Sequence, residues 1–295
     1  MYSPFVREGD WDSAAAQARD IVNTSYRRQL LLGWLPKFGR TQASVANDYS
    51  RQWLANPLRQ QLLTSGPVGP CQWRERKFLA RAIGTKRVHL LHLFRALEAL
   101  KPETVLEVGA GNGVNLLAIA ARYPAIRLTG TELTPGGVEA AQMIAAQEKL
   151  PDELLGFLPR PAARASVRDD IEFLQGDARR LPFGDSAFDL VFTSLALEQM
   201  EEIRDAALRE ISRVARSWVM MIEPFRDFND EGIRRRYIRA QNYFSARVGD
   251  LGSYDLEPLF VSADMPHKLT LKPAVVIARK RLDNDANRES DPLPI

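Results

Sequence analysis

Apolar positions in the first part of the chain recur at helical spacing. The pattern covers DSAAAQARDIVNTSYRRQLLLGWL, NDYSRQWLANPLRQQLL and ERKFLARAIGTKRVHLLHLFRALEALK, and GPVGP indicates a loop between the last two. One apolar stripe in the last segment is typical of a helix that packs on a sheet. This stripe comprises Leu90, Leu93, Phe94, Leu97 and Leu100. We therefore predict a helical N-terminal extension over residues 1–95.

This extension carries the aromatic side chains Trp34, Phe38, Tyr49 and Trp53. One interpretation is a lid that folds over the strand ends of the following domain and contacts a ligand through these rings. The other is that the rings form the core between the helices, which is the commoner fate of aromatic side chains. The pattern alone leaves both interpretations open.

From residue 96 to residue 281, short apolar runs alternate with segments of helical spacing. The runs are TVLEVGA, RLTGTEL, IEFLQGD, FDLVFTSLA and WVMMIEP; the helical segments include NLLAIAARY, GGVEAAQMIAAQEKL and EEIRDAALREISRVAR. Strands that alternate with such helices predict right-handed crossovers and a parallel sheet buried on both faces, hence an α/β fold. PDELLGFLPRPAARASVRDD predicts an inserted loop with a short helical turn, and the polar residues 282–295 predict a disordered tail.

Composition narrows the possible function classes. The 295 residues are 45% hydrophobic and 26% charged, as in ordinary globular proteins. Cys71 is the only cysteine, so an internal disulfide and a cysteine-based metal cluster are excluded, and we expect no metal site. The start MYSPFVREGDWD lacks the apolar core of a secretory signal, and no apolar run is long enough for a membrane span. We expect a cytoplasmic protein.

The net charge of +3 is mild for a protein that binds nucleic acid, which typically concentrates its basic residues in one patch. The run from Arg234 to Arg236, with Tyr237 and Arg239, could follow a phosphate backbone or bind an anionic ligand. Charge runs are more often solvated faces, and we favour that interpretation. The composition therefore does not favour nucleic acid as a partner.

The stretch VLEVGAGNG, Val105 to Gly113, places three glycines directly after a buried strand. In an open parallel sheet ligands bind at the carboxyl ends of the strands, so this is a ligand loop by position. Its spacing is G-x-G-x-G and residue 114 is Val, whereas a dinucleotide site needs G-x-G-x-x-G and a phosphate loop needs G-x-x-x-x-G-K-[ST]. The spacing counts against a nicotinamide oxidoreductase and against a phosphate-binding loop.

Three acidic residues also lie at or near the carboxyl ends of predicted strands, where ligands bind in an open parallel sheet. Glu107 stands just before the glycines, where its charge favours a cationic or amine-bearing ligand over a pyrophosphate. Glu132 ends the next strand, where a carboxylate can take both hydroxyls of a ribose. Asp177 ends the following strand, where it can accept from an exocyclic adenine amine. Together these acids indicate a pocket for a ligand that carries an amine, a ribose and an adenine.

These motifs together resemble those of the class I S-adenosylmethionine-dependent methyltransferases over Ala96 to Arg281. VLEVGAGNG is similar to the first motif of that family, GTEL to its second strand end and GDARRLPFGDSAFDLVFTSLALEQM to its third and fourth strand regions. LEPLFVSAD and TLKPAVVIARKR are similar to its closing antiparallel hairpin. The resemblance implies a seven-stranded, mostly parallel Rossmann-like sheet with helices on both faces, behind the helical N-terminal extension. The first 95 residues and an insert at about residues 226–250, which we expect on the acceptor side, depart from the pattern of that family.

The resemblance further implies a site for S-adenosylmethionine. The glycine loop would pack beneath the methionine portion, with Glu107 anchoring its ammonium group, while Glu132 binds the ribose. Asp177 with Ala178 would contact the adenine, and Thr193 or Ser194 would line the floor after the fourth strand. The expected cofactor residues are Glu107, Gly109, Ala110, Gly111, Asn112, Gly113, Glu132, Leu133, Asp177, Ala178, Thr193 and Ser194.

Candidates for a catalytic role are fewer. Glu198, with Gln199, follows the fourth strand where acceptor-side residues can lie, although LEQMEE is equally typical of an acidic helix start. His267 has a side chain whose ordinary pKa suits a general base, or it is a loop histidine with no role. His89 and His92 lie three residues apart on a helix, but no third metal ligand follows, and we predict a solvated helix edge.

The functional expectation is a methyltransferase that acts on an O- or N-acceptor of a small molecule. An activated sulfonium methyl mainly requires the protein to position the acceptor, so a base is needed only for a protonated acceptor. Within the class, RNA methylation is the alternative, although no N-P-P-Y-like segment follows the fourth strand. From another class, the chain could bind the cofactor without transferring methyl.

Overall fold

The computed structural model describes residues 3–32, 68–81 and 83–281. Its main sheet has seven strands in the order β6-β5-β4-β7-β8-β11-β9. These strands are β4 (Thr104–Val108), β5 (Arg127–Glu132), β6 (Ile171–Gln175), β7 (Phe188–Ser194), β8 (Ala215–Glu223), β9 (Leu256–Ser262) and β11 (Ala274–Lys280). Strands β4 to β8 pair in parallel, whereas β11 lies antiparallel to both β8 and β9. The predicted α/β sheet and its closing hairpin are confirmed.

Helices cover both faces of this sheet, as predicted. They are α2 (Ile83–Leu100), α3 (Val114–Arg122), α4 (Pro135–Ala145), the short α5 (Asp152–Phe157) and α6 (Arg204–Val214). Successive side chains of a strand point to opposite faces, and accordingly Val105 packs with α2 and α3 while Leu106 packs with α6. The central strands β4 and β7 are buried over most of their length, which is why their sequences are largely apolar.

The first strand of the core sets the position of the helix before it. Helix α2 ends at Leu100 and β4 begins at Thr104 on the amino edge of the sheet, so α2 begins at the opposite, carboxyl edge. The first turn of α2 therefore lies at the same edge as the glycine loop. The proposed division between residues 95 and 96 falls inside this helix, and the domain boundaries stay a prediction.

A second sheet was not predicted. It is antiparallel, has the order β1-β3-β2-β10, and consists of β1 (Val6–Arg7), β2 (Val68–Trp73), β3 (Arg76–Arg81) and β10 (His267–Lys268). Residues 76–81, for which the spacing predicted helix, and residues 68–70 of the predicted GPVGP loop are thus strands. The helix-forming residues of RKFLAR are overridden by pairing with β2 across a tight turn in which Arg74 has a positive φ of 53°.

Helical structure in the N-terminal part is confirmed for α1 (Trp11–Leu32). The aromatic residues Trp34, Phe38, Tyr49 and Trp53, the basis of the lid interpretation, lie outside the described residues, as do residues 282–295. Within 226–250, the structure has a 3-10 helix at Arg226–Phe228, the helix α7 (Gly232–Gln241) and the start of the 3-10 helix Val248–Tyr254. No helix of the described ranges is long and apolar enough to cross a membrane.

Candidate functional site

The glycine loop between β4 and α3 adopts a conformation that favours glycine. Gly109, Gly111 and Gly113 have φ values of 78°, 57° and 73°, in the left-handed region. The backbone N–H groups of Gly109 and Ala110 donate to the carbonyl of Thr131 at 2.8 and 2.9 Å, which ties the loop to β5. The turn therefore has a fixed shape before any ligand binds.

Two of these glycines also allow a close approach that any side chain would block. A Cβ added to Gly109 would lie 2.5 Å from the Cβ of Ala196, in the segment after β7. A Cβ added to Gly113 would lie 2.6 Å from the ring of Phe173 in β6. The loop is glycine-rich because it passes between neighbouring strand ends, in addition to its backbone conformation.

Glu107 points from the end of β4 into a buried position. Its side chain is 1% exposed, and the amide of Asn115 donates to Oε1 at 2.6 Å. The other oxygen, Oε2, is buried and has no hydrogen-bond partner among the described residues. Burial raises the pKa of Glu107 to about 8, although the Asn115 hydrogen bond and the charge of Lys86 oppose this rise. Such an oxygen is suited to a donor from a ligand.

Glu132, at the end of β5, organises the loop and the start of α4. Its Oε2 accepts from the backbone N–H of Gly111 at 3.1 Å. Its Oε1 accepts from the backbone N–H and the hydroxyl of Thr134 at 3.0 and 2.7 Å. The Thr134 hydroxyl in turn accepts from the N–H of Gly137 and so caps α4. Since a carboxylate offers about four lone-pair positions, one on Oε2 is left for a ligand.

Asp177, beyond the end of β6, is engaged by a neighbour. Both of its oxygens accept from the guanidinium of Arg179, with 2.6 Å between Nη2 and Oδ2, and this bonding lowers the pKa of Asp177. The arginine side chain is 61% exposed, so the pair is held at the surface. Gly176 and Ala178 line the same cavity as Asp177.

The segment after β7 is fixed by a buried carboxylate that the sequence did not single out. Glu223, at the end of β8, accepts from the backbone N–H groups of Ala196, Leu197 and Glu198 at 3.0 to 3.2 Å. Its side chain is fully buried, and burial together with the charge of Glu198 raises its pKa to about 8. Glu223 thus orders the wall that faces the glycine loop.

These elements enclose a cavity of about 280 Å³ at the carboxyl edge of the sheet. We call one side the glycine-loop half; it comprises Glu107–Asn112, Asn115, Thr131–Thr134 and Gly176–Ala178. We call the other side the helix half; it comprises Lys86, His89, Ser194–Ala196, Glu198–Met200 and Ile203. The cavity lies where the topology of an open parallel sheet predicts a ligand site.

The structure brings most of the expected residues to this cavity. Ten of the twelve expected cofactor residues line it, and so does Glu198. Gly113 supports the loop from behind, and Thr193 is fully buried without lining the cavity, so Ser194 is the residue that lies at the floor. The sequence analysis missed Lys86, Asn115, Thr131, Thr134, Met200 and Ile203, which also line it.

His89 corrects an explicit prediction. The expected solvated helix edge is wrong for this residue, which is 2% exposed and forms part of the cavity wall. Neither ring nitrogen has a hydrogen-bond partner among the described residues. Burial, followed by the charges of His92, Lys86 and Lys268, lowers its pKa to about 3, so the ring is neutral. The structure buries Thr85 and Val88 beside His89 on α2, and the helical spacing of these residues is the signal that the sequence analysis did not use.

His267 does not lie at the cavity. It belongs to β10, is buried, and its Nδ1 contacts the carbonyl of Lys268 at 2.9 Å. Burial lowers its pKa to about 4. In the arginine run, Arg235 and Arg236 are exposed on α7, and Arg236 donates to the side chain of Asn23 in α1. The expected solvated face is therefore found for these two residues.

Comparison with known proteins assigns the central part of the chain. Residues 106–219 match a family model described as a methyltransferase domain. Ajmaline N-methyltransferase from Rauvolfia serpentina is 31% identical over 122 residues, which cover 41% of this chain and 35% of that protein. The chain spans about a third of the length of the curated relatives that it matches.

Solved structures share the fold at low sequence identity. The 4+2 cyclase SpnF is 19% identical, with a TM-score of 0.57 over 82% of this chain and 97% of that one. A magnesium protoporphyrin IX methyltransferase from Synechocystis PCC 6803, solved with bound SAH, is 13% identical, with a TM-score of 0.54 over 82% and 100%. At these identities the likeness shows the fold alone, and the two names show that this fold carries more than one chemistry.

Proposed function

We propose, on the premise that residues 106–219 of this chain form a class I methyltransferase domain, that the protein transfers a methyl group from S-adenosylmethionine to an oxygen or nitrogen of a small molecule. The observation that carries the proposal is Glu107, a buried carboxylate that lines the cavity beside the glycine loop and whose Oε2 has no hydrogen-bond partner among the described residues. A buried carboxylate oxygen in this position matches an ammonium group, and the methionine portion of the cofactor supplies one.

The remaining residues of the glycine-loop half fit the same cofactor. The backbone from Gly109 to Gly113 offers a close-approach surface without side chains. Glu132 has one lone-pair position left, which suits one ribose hydroxyl rather than the two that the sequence suggested. Asp177 suits the adenine amine, on condition that Arg179 releases one of its oxygens.

The chemistry needs little from the side chains beyond placement. S-adenosylmethionine supplies an activated methyl whose carbon–sulfur bond breaks with the electron pair left on sulfur. The protein contributes a cavity that holds the acceptor atom in line with that bond and excludes water. Glu198 lies in the helix half, where the amide of Gln199 donates to its Oε1 at 3.0 Å. It is our candidate to take the proton of an acceptor that enters protonated; His267 is dropped because it lies away from the cavity.

Two alternatives are carried by specific observations. An RNA substrate is favoured by the exposed arginines of α7, and it predicts a binding affinity that falls steeply with salt. A role without methyl transfer is favoured by the occurrence of this fold in a cyclase, and it predicts cofactor binding without turnover. Both alternatives keep the glycine-loop half as the cofactor site.

Calorimetric titration tests the proposal directly. We expect S-adenosylmethionine and S-adenosylhomocysteine to bind, and NAD not to bind. Glu132→Ala and Asp177→Ala should each weaken binding by about tenfold or more, because each removes a charge-assisted hydrogen bond. Glu139→Ala is the matched control, since this exposed glutamate of α4 does not line the cavity.

The outcomes separate the hypotheses. Binding of NAD alone would show that our interpretation of the glycine loop is wrong. Binding of the cofactor with methyl transfer to small molecules supports the proposal, whereas methyl transfer to RNA alone supports the first alternative. Binding with no transfer to any acceptor in a broad panel supports the second.

A further inference from the structure

The helix half of the cavity is continued by segments that are far apart in the sequence. Glu223 of β8 pairs with Ala274 of β11, and Ser262 of β9 pairs with Val275, so residues 263–273 connect the strands at the carboxyl edge of the sheet. The first turn of α2, which carries Lys86, lies at this edge as well. One end of the sheet therefore brings α2 and the 263–273 segment together, and Ile233 of α7 packs against the apolar cluster that contains Leu269 of this segment.

These segments carry four basic side chains, which we call the basic cluster: Lys86, Lys268, Lys272 and Arg234. Lys86 lines the cavity, and Lys268 lies close enough to His89 that both charges lower the histidine pKa. Lys272 and Arg234 in the same way lower the pKa of His267, the neighbour of Lys268 in the chain. The cluster thus runs from the cavity wall towards α7, with two neutral histidines among its charges.

Of the acids near this cluster, Glu107 lies close enough to Lys86 that the charge of the lysine lowers the pKa of this glutamate. The acid near Lys272 is engaged elsewhere. The charge of Asp264 raises the pKa of Lys272. Both oxygens of Asp264, however, accept hydrogen bonds from Arg74, and one also accepts from Trp73. Among the described residues, no ion pair joins Lys268, Lys272 or Arg234 to an acid. Burial and the charge of Arg234 lower the pKa of Lys272. Like charges held together in a partly buried place are unfavourable unless an anion compensates them.

His89 is a second and independent observation. A buried side chain normally satisfies its polar atoms, and both nitrogens of this ring are without a partner among the described residues while the ring lines the cavity. A neutral imidazole has one N–H to donate and one nitrogen that accepts. An anionic oxygen in the cavity would receive that N–H and lie beside the positive charges.

We propose that His89 and the basic cluster form a subsite for an anionic group, a carboxylate or a phosphate, on the small-molecule methyl acceptor. The inference rests on the proposed function and adds the chemical class of the substrate. Glu107, Glu132 and Asp177 line the side of the cavity that we assign to the cationic and amine-bearing cofactor, and Lys86 and His89 line the helix half, where we place the acceptor. The residues that line the cavity do not include Lys268, Lys272 and Arg234, which would act on the anion through their charge. This division orients the acceptor by its anionic end.

Calorimetry with simple anions tests the subsite without a known acceptor. The protein saturated with S-adenosylhomocysteine is titrated with benzoate, phenyl phosphate and benzamide, which share a ring and differ in charge. We expect one of the anions to bind at least about tenfold more tightly than benzamide, and the tighter anion identifies the group. Raising the salt concentration should lower the binding affinity of the anion and leave the affinity of benzamide unchanged.

Variants assign the binding to the cluster. The double variant Lys268→Met/Lys272→Met should weaken anion binding by about tenfold or more, with unchanged affinity for S-adenosylhomocysteine as evidence of correct folding. Arg236→Gln is the matched control, because it removes one positive charge from α7 at a residue that bonds to Asn23. His89→Asn, which keeps a donor, should bind the anion more tightly than His89→Leu.

Each other outcome overturns the inference. These outcomes are equal binding of benzamide, no binding of any of the three compounds, and a double variant that binds the anion as the wild type does. A short RNA whose salt-dependent binding is lost in the double variant would assign the cluster to nucleic acid instead. Failure of S-adenosylhomocysteine itself to bind would contradict the proposed function, so the two failures are distinguishable.

Discussion

The two halves of the cavity are built in opposite ways. The glycine-loop half consists of the ends of β4, β5 and β6, each reached directly from its strand. The helix half combines the start of α2 with residues from the segment 194–203. In the first half, backbone N–H groups of the glycine loop donate to the side chain of Glu132 and to the carbonyl of Thr131. In the second, a buried histidine lacks partners among the described residues.

This difference separates a site shaped by local sequence from one shaped by packing. A glycine or an acid at a strand end has a function that follows from its position on the strand. A histidine on α2 becomes a cavity residue only because α2 lies antiparallel to β4 and begins at the carboxyl edge. We therefore expect substitutions in the glycine-loop half to affect cofactor binding most, and substitutions in the helix half to affect it little.

Gly109→Val is expected to have the largest effect. The branched side chain would stand at a φ of 78° and meet the Cβ of Ala196 at 2.5 Å, which displaces the loop. Affinity for S-adenosylhomocysteine should fall by about a hundredfold or more, with a loss of about 1–3 kcal/mol in the free energy of unfolding. Gly249→Ala is the control, since no atom lies within 4 Å of its added Cβ. Normal affinity in Gly109→Val would show that the loop does not touch the cofactor.

Glu107→Gln comes next. Since the pKa of Glu107 is raised to about 8, the free protein holds this proton at neutral pH, and binding of an ammonium group should release it. Affinity for S-adenosylhomocysteine should therefore rise as pH rises towards 8. Calorimetry in buffers of different ionisation enthalpy measures the released proton, and in Glu107→Gln the release should vanish with about a tenfold loss of affinity. Proton release that persists in the variant would contradict this role.

Glu223→Gln tests the wall between the halves through stability. Its folded pKa of about 8 lies above the ordinary glutamate value of 4.5, so the folded state binds the proton more tightly than the unfolded state. The free energy of unfolding should fall as pH rises from about 4.5 to about 8. Chemical denaturation at several pH values should give a shallower fall for Glu223→Gln. An identical slope in wild type and variant would show that Glu223 does not titrate in this window.

His89→Leu should separate function from stability. Removing two unpartnered buried nitrogens should raise the free energy of unfolding by about 1–2 kcal/mol, since their desolvation is no longer a penalty. Affinity for S-adenosylhomocysteine should stay within about threefold. Thermal denaturation and calorimetry on one preparation measure both. A destabilised variant would indicate that the ring has structural partners.

Arg179→Ala is expected to have the smallest effect. The arginine of the pair with Asp177 is exposed, so the free energy of unfolding should not change measurably. Affinity for S-adenosylmethionine should increase slightly, because both oxygens of Asp177 become available to the adenine amine. Arg180→Ala, one residue further on, is the control. A marked loss of affinity in Arg179→Ala would mean that the arginine itself contacts the cofactor.

The sequence predicted the main sheet and the glycine-loop half well. Periodicity predicted the parallel strands and the covering helices, and position at strand ends singled out Glu107 and Glu132, which line the cavity. Ser194, which also lines it, was expected from the family resemblance as an alternative to Thr193. It did not predict the second sheet, because RKFLAR has the composition of a helix and becomes a strand only by pairing with residues 68–73. It did not predict the partners of Glu132 and Asp177, which depend on side-chain conformation.

What the sequence determined by itself is the part of the molecule governed by short-range rules. Short apolar runs between helical segments indicate the buried strands, and a positive φ with close neighbours requires glycine at 109 and 113. Only the tertiary structure decided which residues that are distant in the chain contact each other. Separate elements pack at one edge of the sheet, and this packing buries His89 and brings it near Lys268. The same packing lets Glu223 accept from the backbone N–H groups of residues 196–198. The physical cause is contact and desolvation across the fold, which no local pattern encodes.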